Sequence, residues 1–89
     1  MTSIFEPLPL KHGGPLPNRL AKAAMEEQLG TKNMLPSQGI FNLYRTWARG
    51  EVGLIITGNV MVDYRAVTNG DGIILNEDSL LKPFQEWAA

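Results

Sequence analysis

NRLAKAAMEEQLG, residues 18–30, decides how this 89-residue chain folds. Asn18 is a good helix N-cap, residues 19–29 are fair to good helix formers, and Gly30 stands where a helix would stop. Local propensity reads the stretch as a helix. Its surroundings pull the other way. A segment rich in proline and glycine precedes it, and VGLIITGNVMVD (52–63) reads as a buried strand running into a loop. The alternatives are a helix or a strand of a larger sheet.

Working outward, Ser37 can cap a helix that runs to about Arg49, with Gly50 just past its end. Ile40, Leu43, Tyr44 and Trp47 fall at i, i+3, i+4 and i+7 and form one core-facing stripe, while Asn42, Arg45 and Arg49 lie off it. Residues 52–56 are then a short apolar run without alternation, which suits a strand buried on both faces, as in a parallel sheet covered by helices. Residues 60–79 form a long connection containing the apolar patch GIILNED (72–78). A connection of that length carries function or a little structure of its own. A second amphipathic helix follows, with Leu80, Leu81, Phe84 and Trp87 on one side; Pro83 suits only a first turn, so regular helix is expected to begin there. Upstream, SIFEPLPLKHGGPLP (3–17) reads as a small hairpin of edge strands reversing at His12-Gly13-Gly14.

Composition narrows the function classes. With 44% hydrophobic and 19% charged residues the chain is globular and makes one small domain. A net charge of −1, a pI near 5.7 and eight scattered Lys and Arg give no basic patch for nucleic acid or an anionic membrane. No apolar run reaches the ~18 residues of a membrane helix, and no charged-then-apolar leader follows Met1, so the expected location is cytoplasmic. Zero cysteines exclude a disulfide framework and a thiolate metal site, and His12, the lone histidine, makes no metal site by itself.

If residues 19–25 are a strand, the order becomes a hairpin followed by two βα units, whose strands lie parallel with a right-handed crossover. With that order, the residues resemble the N-terminal part of the old yellow enzyme family, the flavin-dependent ene-reductases and NADH:flavin oxidoreductases. IFEPLPL (4–10) with its glycine turn is similar to the family's hairpin, and NRLAKAAM (18–25) to its first barrel strand. The most specific stretch, LYRTWARGEVGLIITGNVMVD (43–63), resembles its first helix, tight turn and second strand. The resemblance implies α/β architecture: residues 1–89 as the hairpin plus the first two βα units of an FMN-binding (β/α)8 TIM barrel, an incomplete domain of which about two of eight units are present. It also implies a strand at residues 19–25, against propensity.

Barrel enzymes place their chemistry at the C-terminal ends of strands. Carried over by position, the resemblance implies that Ala24, Met25 and Glu26 line the flavin ring, mainly through backbone groups, and that Asn59 lies near its pyrimidine edge. The implied function is hydride transfer from NAD(P)H through FMN to an activated alkene or related small electrophile, with no catalytic residue and no metal ligand among these 89 positions. Two positions depart from the family. Glu26 replaces the frequent Thr or Cys donor, so its carboxylate has to be turned away, protonated or paired; Gln28 stands where some members carry an aromatic residue. Adjacent Glu26 and Glu27 point to opposite sides of an extended segment, and Glu27 is read as solvated. The competing reading is an inactive barrel fragment or small interaction module. On either reading the uncovered apolar faces are expected to meet another copy or the remainder of a barrel.

Overall fold

Asn18 does not start a helix in the computed structural model, which describes residues 3–66 and 70–89. Its Oδ1 accepts from the Leu20 N–H at 3.0 Å, a local turn of the side chain onto its own backbone, and its Nδ2 donates to the Glu51 carbonyl at 2.6 Å. That second bond ties the start of strand β1 (Ala21–Lys22) to the turn entering β2 (Leu54–Ile55). The two strands pair in parallel, Ala21 opposite Leu54 and Lys22 opposite Ile55, as the family resemblance implies. Gly53 is needed for this approach, because a Cβ there would sit 2.5 Å from the Asn18 carbonyl oxygen. Met1 and Thr2 lie outside the described residues, as do positions 67–69 of the long connection.

Between the strands runs α1 (Gln38–Arg49), at the predicted position. Ser37 caps it: its Oγ accepts from the Ile40 N–H at 3.2 Å and donates to the Leu29 carbonyl at 2.5 Å. Of the predicted stripe, Ile40, Tyr44 and Trp47 reach the core and Leu43 does not join it. Ile40 and Tyr44 are buried together with Ile73, and Phe41, Trp47, Ile55, Val60, Phe84 and Trp87 pack against them. Tyr44 meets Trp47 and Trp87 edge to face, with ring centroids 5.0 and 5.2 Å away, the favoured aromatic geometry. Lys22 lays its stem on the same side, its Nζ 4.4 Å from the Trp47 ring centroid.

Three expectations need correction. The first strand is shorter than residues 19–25, because the ladder extends only where β2 lies alongside it. The run at 52–56 is not buried on both faces: side chains alternate along a strand, α1 covers the Ile55 side, and Leu54 and Ile56 are 41% and 47% exposed. The long connection, as expected, carries a little structure of its own, a second parallel pair of β3 (Val60–Met61) with β4 (Ile73–Ile74), the two buried isoleucines of the GIILNED patch. Helix α2 (Lys82–Ala88) carries Pro83 in its first turn, as predicted, and packs through Phe84 and Trp87. Leu80 and Leu81 precede it and are exposed, so they do not join its apolar side.

At the other end, an antiparallel bridge joins Leu8 and Leu16 through two 2.9 Å hydrogen bonds, and Gly13 takes a φ of +83° in the predicted reversal. Arg19 fastens this hairpin to β1, donating to the Pro7 carbonyl at 3.2 Å. Among the described residues no helix is long and apolar enough to cross a membrane. The placement of the core is testable. Trp47 is half-buried against Tyr44, so Trp47→Ala is expected to cost about 2 kcal/mol, below the range for a fully buried aromatic, whereas His12→Ala in the exposed turn should cost under about 0.5. Equal shifts of the two urea midpoints would reject this core.

Candidate functional site

Beyond Lys22 the chain leaves the ladder and runs without assigned strand through residues 23–29, while β2 gives way to Thr57, Gly58 and Asn59. These two strand ends are brought together. The Met25 carbonyl oxygen packs against Gly58 so closely that any Cβ at position 58 would overlap it. Gly58 itself is buried, whereas Ala24, Met25, Glu26 and Asn59 are all exposed around it, Met25 to 57%. The Asn59 side chain lies beside its own strand, its Nδ2 3.4 Å from the Met61 sulfur.

Glu27 corrects the sequence reading. Glu26 and Glu27 do diverge, but Glu27 turns into the protein and is half-buried. Its Oε1 accepts from the Tyr44 hydroxyl and, at 3.1 Å, from the Gly58 N–H. The Gly58 N–H also lies 3.2 Å from the Tyr44 oxygen, so three elements meet at one carboxylate: the segment after β1, the middle of α1 and the loop after β2. The missed signal was Tyr44. A hydroxyl on an otherwise apolar stripe needs a partner once its ring is buried, and Glu27 is that partner.

Burial pushes the Tyr44 phenol up to about 12, and the Glu27 carboxylate beside it works in the same direction, against a smaller opposing effect of the Gly58 N–H. The folded state therefore holds this proton more tightly than the unfolded chain, whose tyrosine loses it near 10. The stability that Tyr44 contributes is complete below pH 10 and is lost as pH rises toward 12. Urea midpoints measured across that window should fall in the wild type and fall less in Tyr44→Phe; parallel slopes would contradict the buried Tyr44–Glu27 bond.

Chemically, the strand ends expose Ala23, Ala24, Met25, Glu26 and Asn59 around the buried Gly58. A flat group can approach the backbone where Ala23 and Ala24 carry only methyl side chains, with the exposed Met25 side chain beside them.

No protein-family model matches the chain. Individual proteins do. It is 37% identical over 86 residues to the NADH-dependent flavin oxidoreductase iliE of Hypocrea jecorina (strain QM6a), a match covering 92% of this chain and 21% of that protein. The iliE protein of Neonectria sp. (strain DH2) is 38% identical over 88 residues, covering 94% and 12%, and the flavin oxidoreductase iccE of Talaromyces variabilis is 36% identical over 90 residues, covering 97% and 22%. The chain therefore spans between 12% and 22% of the length of these relatives. Over nearly its whole length it is a relative of the NADH-dependent flavin oxidoreductases, in agreement with the old yellow enzyme resemblance carried by residues 4–10, 18–25 and 43–63.

Proposed function

We propose that this chain belongs to an FMN-dependent oxidoreductase that passes hydride from NAD(P)H to an activated alkene or related small electrophile, and that residues 1–89 supply the hairpin and first two βα units of its barrel. The observation that carries this reading is the meeting of two parallel strand ends, with the Met25 carbonyl against Gly58. Parallel β/α enzymes bind ligands at that end of their strands. The relatives' names support a flavin and NADH. FMN, the ene-reductase chemistry and a cytoplasmic location are the finer parts of the proposal.

When bound, FMN supplies hydride transfer and, once reduced, carries negative charge toward its pyrimidine side. This chain's part is binding and electrostatics. Ala24, Met25 and Glu26 line the ring through their backbone, and the Asn59 side chain offers N–H donors to the pyrimidine edge. The Glu26 carboxylate is oriented away from that edge or is held by a partner, since a bare carboxylate there opposes negative charge.

The test is a chimaera in which this chain replaces the matching 86 residues of the Hypocrea relative. A yellow protein that oxidises NADH when an activated alkene is added supports the proposal. A folded, colourless chimaera would reject it and leave the interaction-module reading, for which the exposed Leu54 and Ile56 are the specific support.

A further inference from the structure

We infer that Glu27 is the positioning residue of this site: its carboxylate clamps the segment after β1 to the loop after β2 and so sets the separation of Met25 from Asn59. The inference rests on the flavin reading and adds to it a residue that touches neither ligand nor reacting atoms. One oxygen, Oε1, takes the Tyr44 hydroxyl and the Gly58 N–H, the latter at 3.1 Å. The other, Oε2, lies against the face of Gly58 where a side chain would be, 2.6 Å from the position of a Cβ. Glu27 thus fixes the loop in two directions while its own backbone continues directly from Met25 and Glu26.

Packing alone does not explain a carboxylate here. Among the described residues the ion pair recorded is Arg65 with Asp63, and Glu27 is satisfied by a hydroxyl and an amide rather than by a cation. Half-burying a charge on neutral donors is costly, and an apolar side chain of similar volume would fill the space more cheaply. What the carboxylate adds is direction. Hydrogen bonds fix angle and distance where apolar contacts do not, and a site made of two backbone edges depends on their spacing, since a displacement of about 1 Å is enough to impair a bound geometry. Tyr44 belongs to the same device. Its ring is held by Trp47 and Trp87, so its hydroxyl is a fixed post on α1 against which both strand ends are set.

The experiment uses the flavin-binding chimaera with Glu27→Ala, Glu27→Gln and Tyr44→Phe, reading the flavin dissociation constant, its absorption bands and its reduction potential beside the thermal midpoint. Glu27→Gln keeps an acceptor oxygen at the same place; Glu27→Ala removes it. The expected result is a dissociation constant raised at least about tenfold by Glu27→Ala, with shifted bands and potential, and restored to within about threefold by Glu27→Gln. Tyr44→Phe should fall between them. A purely structural role would lower the thermal midpoint and leave the bands and potential of the bound flavin unchanged, and that outcome overturns the inference. So does equal loss in Glu27→Gln and Glu27→Ala, which would mean that charge and not positioning matters. Should Glu27→Ala fail to fold, Tyr44→Phe decides: wild-type affinity and bands overturn the inference. A colourless but folded parent chimaera instead sinks the flavin reading itself, and this inference with it.

Discussion

Gly58→Ala is expected to destabilise the chain by about 3 to 5 kcal/mol, a large share of the stability that a domain of this size holds. The added methyl would overlap the Met25 carbonyl oxygen, and it would lie 2.6 and 2.9 Å from Oε2 and Cδ of Glu27. Backbone cannot swing aside as a flexible side chain can. Moving the loop away breaks the Gly58 N–H bond to Glu27 and leaves a half-buried carboxylate under-satisfied, so overpacking and a lost charge-assisted hydrogen bond add together. Gly14→Ala is the control, because nothing lies within 4 Å of a Cβ at that position. Urea unfolding with unchanged m-value should separate the two variants by several kcal/mol. If their midpoints coincide, the strand ends are not packed as described.

How much of this was legible in the sequence depended on how local the cause was. Helix α1 was readable because its cap, its stripe and its terminating glycine all lie within residues 37–50. Strand β1 was not readable from propensity, since alanines and a lysine favour helix, and what makes them a strand is Leu54 and Ile55, more than 30 positions away. The resemblance to a family supplied that non-local information. Ile73 and Ile74 were visible as an apolar patch, but a strand of two residues has no periodicity to detect, and its partner lies beyond the intervening turn. The 52–56 run misled because uninterrupted apolarity says nothing about which face finds a cover. Glu27 was read as solvated because alternation tells only that it opposes Glu26. That Glu27 turns inward was fixed by Tyr44, 17 positions on. The exposed candidates Ala24, Met25, Glu26 and Asn59 follow from the resemblance by position, and the closeness of Met25 to Gly58 is what the fold adds to them.

The isolated 89-residue chain is expected to bind FMN more weakly than millimolar, at least about a thousandfold more weakly than the chimaera. Its contribution to the proposed site is one edge: the backbone at Ala24, Met25 and Glu26, and the Asn59 amide. A few hydrogen bonds, each worth a net ~0.5 to 1.5 kcal/mol, do not offset an association cost of about 4 kcal/mol or more. The ring faces gain little, because the edge is open. The relatives are five to eight times longer than the matched region, as coverages of 12% to 22% imply, so most of the protein available to hold a flavin in them lies outside it. The same openness predicts self-association. Leu54 and Ile56 present an uncovered strand face, and Leu80 and Leu81 add exposed leucines. Following flavin fluorescence during titration of the purified chain, with sedimentation velocity alongside, measures both. Micromolar affinity from a monomer would mean that these residues already enclose a complete site, and that Glu27, Tyr44 and Gly58 hold not one edge of it but its whole frame.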